Sequence, residues 1–534
     1  MTSAKLTLIL VLALCRGLSA ARAADATPPA AAGEKPAFDL YDFQIDGNTL
    51  LDDETLERAV YPFLGPGKTV DDVEQARAAL ETAYRQAGYP SVIVAIPEQD
   101  VNENQVRIEV TEGRIAIQRI TGSRYYDLDK IRAAVPALAE GQTPHMPTVQ
   151  TQMAALAQQA PDRGVTPVFR AGATPGQMEV ELKVKDDLPL HGSVEMNTRN
   201  TSSTDYTRLI GSLRYDNLWQ KYHSASLQFQ TSPQNANQVD VWSGTYVMPT
   251  NWHDTRLAFY GVGISSNTQL GASVGGASVV GTGDIFGLRL VKPLPTVNDG
   301  LNNLTFGIDY KSFDQATQLQ GQDTGHTAIQ YLKFVTGYDW ALRTEQRTTT
   351  LNVAANFSIR GLVDSATQFN NKRTGATPDF VYLTGDFRHL QILPEDMRFQ
   401  IHAQGQGSLN RLISNEQYSA GGPLSVRGYH QTQVLADQGI NLSFELHSPK
   451  LLFDDAAYTQ NLRAIAFVDW ADLWTMAPIA PTQPNQQLSS VGAGLRTQWF
   501  KHLLGEFDWS YPMSRQYNVA PGQQRIDFRV VYDF

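Results

Sequence analysis

The C-terminal run from Arg525 to Phe534 constrains this chain more than any other stretch. Ile526, Phe528, Val530, Tyr532 and Phe534 alternate against Arg525, Asp527, Arg529 and Asp533. A period of two puts the apolar set on one face of a strand and the charged set on the other. Such a strand suits a wall between lipid and water, and equally the half-buried sheet of a soluble sandwich.

The same period recurs upstream. Ala225, Leu227 and Phe229 alternate with Ser224, Ser226, Gln228 and Gln230, and Leu304, Phe306, Ile308 and Tyr310 form a similar set. After Leu188 the helical pattern stops, and short alternating runs are punctuated by Gly, Pro, Asn and Asp. Aromatics at 10%, 41 glycines and abundant Gln, Asn, Ser and Thr suit a barrel with a polar lumen. No stretch approaches the roughly 20 apolar residues of a membrane-spanning helix. Barrel strands escape such a search because each carries a weak signal, and about 14 to 18 of them, at roughly 9–11 residues each, would fit here. Tyr215, Trp219, Tyr222, Trp252, Trp470, Trp474, Trp499 and Trp509 fall near predicted strand ends, where barrels place aromatic girdles.

The N-terminus reads as a secretory signal, residues 1–23. Lys5 supplies the charge, Leu6 to Leu14 the apolar region, and Ala21-Arg22-Ala23 the cleavage site. Leu14 is too bulky to precede a lipidated Cys15, which favours ordinary cleavage after Ala23. The only cysteine then leaves with the signal, excluding disulfides, metal thiolates and cysteine nucleophiles from the exported chain. Cleavage takes the basic residues from 43 to 40 against 54 acidic ones, a net charge of −14 that argues against nucleic acid as a partner. An exported chain with this many strands and a terminal Phe534 favours the barrel over the sandwich.

Residues 24–37 are Ala/Pro-rich and read as a linker. Residues 38–114 form a β-α-α-β-β module. A strand over Leu40 to Ile45 is followed by a turn at Asp46-Gly47-Asn48 and a short helix around Glu54 to Tyr61. Thr69 with Asp72 makes a capping box for a second helix, in which Val73, Ala76, Leu80, Ala83, Tyr84 and Ala87 repeat at helical spacing before Gly88 ends it. Strands follow at Val92, Val94, Ile96 and at Val106, Ile108, Val110. Residues 115–187 repeat the order: a strand over Ile115 to Ile120, helices over Asp127 to Val135 and Pro147 to Gln159, and strands over Val165 to Arg170 and Met178 to Val184. Residues 188–534 are then the barrel.

Few motifs offer chemistry. Gly271-Ala272-Ser273-Val274-Gly275 fits the G-x-S-x-G nucleophile elbow by letter, but no helix follows it, so it reads as a loop and a chance match. An exported hydrolase using Ser273 would lose activity on Ser273→Ala. No H-E-x-x-H or G-x-x-x-x-G-K-[ST] is present, and ten histidines are scattered without ligand spacing, so no cofactor, metal or nucleotide is expected. The acid pairs Asp52-Asp53 and Asp71-Asp72 lie at helix starts, where they favour the dipole.

Two further stretches stand out. Gly421-Gly422-Pro423-Leu424-Ser425-Val426-Arg427-Gly428-Tyr429 places one Arg among glycines that permit tight turns and close approach. An Arg held this way forks onto a carboxylate, although pattern alone reads it as a surface loop. In Ala466-Phe467-Val468-Asp469-Trp470, Phe467 and Asp469 share a strand face.

Ser425-Val426-Arg427-Gly428-Tyr429 after Gly421-Gly422 resembles the lumen-loop signature of two-partner-secretion transporters, the haemolysin-activator and haemagglutinin-transporter branch of the outer-membrane assembly superfamily. Gly47-Asn48, Gly88-Tyr89 and Glu112-Gly113 fall where they do in polypeptide-transport-associated (POTRA) domains, which residues 38–114 resemble. The resemblance implies two POTRA domains followed by a transmembrane antiparallel barrel of sixteen strands. It implies that Arg427 pairs with Asp469, in the Phe467-x-Asp469 motif, inside the lumen. The family pattern has Gly two residues after that Asp, where this chain has Ala471. A strand ending on an aromatic resembles the insertion signal of outer-membrane barrels, which would make Phe528, Val530, Tyr532 and Phe534 contacts for the barrel-assembly machinery. The implied function is export of a partner protein across the outer membrane of a Gram-negative bacterium, with the POTRA domains in the periplasm, lipid around the barrel and no catalysis. A barrel-insertion or lipid-handling relative is the alternative, but those typically carry more POTRA modules.

Overall fold

A computed structural model of the chain describes residues 37–534 apart from 101–103, 253, 266–267, 270–277, 280–281, 320–321, 364, 452–458 and 479–482. The signal peptide and the 271–275 motif lie outside the described residues. The chain divides into two compact units. One comprises the chain up to Ile117 with Ala137–Val149 and Arg170–Glu179; the other comprises Gln118–Pro136, Gln150–Phe169 and Val180–Phe534.

In the first unit, helices Asp53–Val60 and Val70–Gln86 pack with a three-stranded sheet ordered Asp42–Asp46, Gln105–Thr111, Ile93–Ala95. Leu56, Val60, Val73, Ala76, Leu80 and Tyr84 bury the helix faces against Val94, Val106, Ile108 and Val110, as the spacings require. Asp52 and Thr69 are the N-caps; the Asp52 carboxylate accepts from Thr55 N, and Asp72 Oδ2 accepts from both Thr69 N and Thr69 Oγ1 at 2.8 Å. The expected single strand over Leu40 to Ile45 is two strands. Phe38–Leu40 pairs antiparallel with Gly65–Lys68 and Asp42–Asp46 pairs parallel with Gln105–Thr111, and the break between them falls at Tyr41. Alternation cannot reveal that a strand changes partner.

The second unit holds most of another three-stranded sheet, ordered Arg114–Thr121, Gln177–Asp186, Arg163–Ala171, with helix Leu128–Ala134. Its main body is a closed barrel of sixteen antiparallel strands, from Leu190–Asn197 to Arg525–Asp533. Each strand pairs with its neighbours in sequence, and the last closes on the first from Arg529↔Asn197 to Asp533↔Ser193. Beyond that seam Phe534 N and Gly192 O, and Gly192 N and Phe534 O, pair at 3.0 Å.

Connections at the two barrel ends differ. At the end where the first strand begins they are short apart from 448–458: 219–222, 250–255, 298–299, 344–346, 393–397 and 500–502. At the other end they include 198–207, 358–380 and 409–437. Short turns on one side and long loops on the other are the pattern of outer-membrane barrels. Ile526, Val530, Tyr532 and Phe534 are exposed on the outer face while Asp527 is buried inside, so the C-terminal alternation separates the two faces of the wall. Trp219 and Trp252 lie in the short turns and are exposed. Among the described residues no helix is long and apolar enough to cross a membrane.

Two sequence expectations fail inside the barrel. The helical pattern does not stop at Leu188: Ala366–Lys372 is a helix in the 358–380 loop, two turns long and too short to show periodicity. Nor is the lumen uniformly polar. Phe369, Ala376 and Phe380 of that loop, with Leu412 and Ile413, pack on Val241, Val262, Ile264, Ile285, Phe313 and Ile329 of the strands. These inward positions are apolar because a loop covers them, not water.

Candidate functional site: a loop latched inside the barrel

The 409–437 connection joins strands Arg398–Ser408 and Gln438–His447 and folds back into the barrel. Its glycines have left-handed or related positive φ: +109° at Gly421, +97° at Gly422 and +89° at Gly428. A Cβ on Gly421 would lie 2.5 Å from His430 O, so both conformation and space demand glycine there. Within the turn Ser425 N donates to Gly422 O and Gly422 N to Val426 O, each at 3.1 Å, and Ser425 Oγ accepts from Gly421 N at 2.8 Å. The turn therefore carries its own hydrogen bonds and presents Arg427 outward from the loop toward the strand wall.

Arg427 meets Asp469. Its Nε donates to Asp469 Oδ2 and its Nη2 to Asp469 Oδ1, both at 2.7 Å, and its backbone N–H donates to Oδ2 at 3.0 Å. The remaining guanidinium nitrogen, Nη1, reaches Glu445 Oε1 at 2.6 Å and lies 3.9 Å from Asp508 Oδ2. Ser443 Oγ accepts from Nη2 at 3.1 Å and donates to Asp469 Oδ1 at 2.7 Å. Phe467, on the same strand face as Asp469, lies under the guanidinium with its ring centroid 3.4 Å from Cζ. Asp469 is fully buried and Arg427 nearly so. A planar fork, two carboxylates and an aromatic face form a site that Lys could not reproduce.

The neighbouring motif residues anchor the loop. The Tyr429 hydroxyl donates to Ser514 O at 2.8 Å and accepts from Ser514 N at 3.2 Å. Val426 and Tyr429 are fully buried in an apolar cluster with Val434, Ala436, Leu473, Leu488 and Ala471. Ala471, where the family pattern has Gly, keeps regular pairing with Asn441 and Leu488, so its methyl group is packing material in an unbroken strand.

Sequence reasoning missed two more charged clusters on this loop. Glu416 accepts from Lys311 Nζ, from Tyr331 OH at 2.5 Å and from Tyr382 OH, with Lys333 Nζ 3.7 Å away. Asp437, at the loop's end, pairs with Arg373 of the 358–380 loop and accepts from Leu412 N at 2.8 Å and Met476 N at 2.7 Å. The signal available was a run of polar or charged residues on an inward strand face, as in Asn441, Ser443, Glu445 and His447 against Ile440, Leu442, Phe444 and Leu446. Which loop residue each one meets is not encoded in alternation. Beside the loop a cavity of about 610 Å³, lined by Ser202, Arg373, Gln417, Thr432, Gln433 and Tyr517 among others, opens among the long connections.

Among the described residues, Asp162, His191 and Asp216 bring possible ligand atoms within 4.8 Å of one another. His191 Nε2 already contacts Asp162 Oδ2 at 3.0 Å, and Arg214 Nε occupies Asp216 Oδ2 at 3.0 Å, which is the geometry of a polar cluster bonded within itself.

Residues 176–497 match the family described as haemolysin secretion/activation protein ShlB/FhaC/HecB, and residues 38–113 match the ShlB-type POTRA domain. The outer membrane transporter CdiB of Dickeya dadantii is 22% identical over 93% of this chain and 87% of its own length. The Escherichia coli transporter of that name is 23% identical over 95% and 84%. In structure, CdiB from Escherichia coli superposes with a TM-score of 0.61 at 21% identity, over 95% of this chain and 93% of that one. BamA from Haemophilus ducreyi lacking POTRA domains 1–3 superposes with a TM-score of 0.58 at 14% identity, over 93% and 100%. At these identities the superpositions speak to fold alone. A closed outer-membrane barrel, a periplasmic POTRA portion and a family match covering more than half the residues lead to one conclusion: the chain belongs to the haemolysin secretion/activation (ShlB/FhaC/HecB) family.

Proposed function

We propose that this protein translocates one large partner exoprotein, of adhesin, haemolysin or contact-dependent toxin type, across the outer membrane. The POTRA portion captures the client unfolded, and the barrel conducts it. Capture by β-augmentation suits an unfolded chain, because backbone pairing tolerates any sequence. Ile93–Ala95 is an edge strand of the first-unit sheet, and Ile93 is exposed there. The observation that carries the reading is Arg427 held by Asp469 within a closed barrel: the plug is tied to the wall by non-covalent contacts, which can break and re-form. Folding of the client outside would supply the drive, since the sequence carries no nucleotide-binding motif.

Deletion of the gene followed by a survey of culture supernatant and cell surface tests the proposal. Loss of one large exported protein supports it. General depletion of outer-membrane proteins would assign the chain to barrel insertion instead.

A further inference from the structure

The lumen loop carries opposite charges toward opposite walls. Arg427 faces Asp469, Glu445 and Asp508, on the thirteenth, twelfth and fifteenth barrel strands. Glu416 faces Lys311 and Lys333, on the seventh and eighth strands, with Arg289 of the sixth close by through Asp309. Arg496 offsets part of the acidic wall, pairing with Asp508 at 2.7 Å, and Asp309 offsets part of the basic wall. Each wall still keeps an excess of its own sign that the loop neutralises. The side chains of Glu416 and Lys311 are 1% and 2% exposed, so water does not compensate either ion.

We propose that Glu416 is a second lock of the lumen loop, a positioning residue that holds the plug against the basic wall as Arg427 holds it against the acidic one. The loop is then a strut fixed at both ends. Leaving the lumen requires both ion clusters to open, so loss of either one lowers the cost of opening the conduit. Tyr331 and Tyr382 strengthen the Glu416 end, since both hydroxyls donate to its carboxylate and both are buried among the apolar residues that the 358–380 loop covers. Removing the charge at Glu416 leaves Lys311 and Lys333 buried with Asp309, 3.8 Å from Lys333 Nζ, as the remaining acidic partner among the described residues, which favours the state in which water enters. The proposal rests on the export reading for its biological meaning but not for its test.

The test is single-channel recording of the purified full-length protein in planar lipid bilayers, with no client present. Glu416→Gln retains the shape and one acceptor oxygen for the Tyr hydroxyls but loses the charge. Its open-state occupancy should rise at least about fivefold, the lower end of what altering one coupled contact does. Lys311→Met with Lys333→Met should raise it likewise, because the same ion cluster is then lost from the wall side. Heat-dependent gel migration counts the folded barrels in each sample. Wild-type occupancy in folded Glu416→Gln barrels, or in folded barrels carrying Lys311→Met with Lys333→Met, would overturn the proposal. A purely structural role for Glu416 predicts fewer folded barrels with unchanged conductance. A failure of the export reading alone would leave the conductance result standing.

Discussion

Asp469 accepts both the guanidinium fork and the backbone N–H of Arg427, so one fully buried carboxylate fixes a side chain and the turn that carries it. This double grip means that the loop cannot rotate about its Arg while staying bound. Either the tip of the loop is docked in one pose, or it has left.

Removal of either partner should therefore uncouple the loop from the wall. Breaking a buried pair costs about 3–5 kcal/mol, because the remaining charge is stranded. Arg427→Ala and Asp469→Ala should each abolish client export while the barrel still inserts, as read by client in the supernatant and heat-modifiable barrel in the outer membrane. Arg427→Lys should be impaired almost as strongly, since an ammonium cannot span Asp469 and Glu445 together. Normal export by both alanine variants would remove the pair from the mechanism.

Phe534 closes the barrel seam through its backbone pairing with Gly192, and its ring lies over that glycine, where a Cβ would come within 2.2 Å of Cζ. Deleting Phe534 should lower the amount of folded barrel in the outer membrane several-fold without altering the export rate per folded barrel. Gly192→Val should act in the same direction by displacing the ring. Unchanged barrel levels in both variants would argue against an insertion signal at this end.

Arg163 is almost completely buried against the stacked rings of Tyr126 and Tyr222, its Cζ 5.0 and 5.4 Å from their centroids, and it donates to Tyr222 OH and Leu156 O at 2.8 Å. Tyr222 belongs to the first short turn of the barrel, so this side chain ties the turn to the preceding module within one unit. Burial pushes the Tyr126 hydroxyl up to about 12, with the Asp162 carboxylate adding to the effect, so the ring stays neutral at physiological pH. Arg163→Ala should cost about 3 kcal/mol from lost charge-assisted bonds and ring contacts. Hydrogen exchange should report it as faster opening of Leu128–Ala134.

The capping box of helix Val70–Gln86 predicts a pH dependence. Hydrogen bonds from the Thr69 backbone and then its hydroxyl hold the Asp72 carboxyl below the ordinary carboxylate range. A lowered folded pKa means that the folded state favours the ionised form. Its contribution is thus fully present above the unfolded value of about 3.9 and is lost as pH falls through the lower folded value. Wild type and Asp72→Asn should differ in the urea midpoint of the helical signal at pH 6, and the difference should vanish in strong acid. A difference that persists there would place the effect outside ionisation.

By itself the sequence determined what repeats at short range. Period-two alternation at Ile526–Phe534 marked a strand with one apolar and one charged face, and helical spacing from Val73 to Tyr84, with Thr69 and Asp72 ahead of it, marked a capped helix. These patterns are legible because the residues that share a face are two, three or four positions apart. The Arg427–Asp469 contact was expected from resemblance to a family and from no pattern within the chain. Tertiary structure alone decided which partners long-range closure brings together: Glu445 and Asp508 at Arg427, Lys311 and Lys333 at Glu416, Arg373 at Asp437, and the apolar plug around Phe369. Alternation can say that a side chain faces inward, but a loop can meet any of sixteen inward faces, and only the closed barrel with its folded loops selects one.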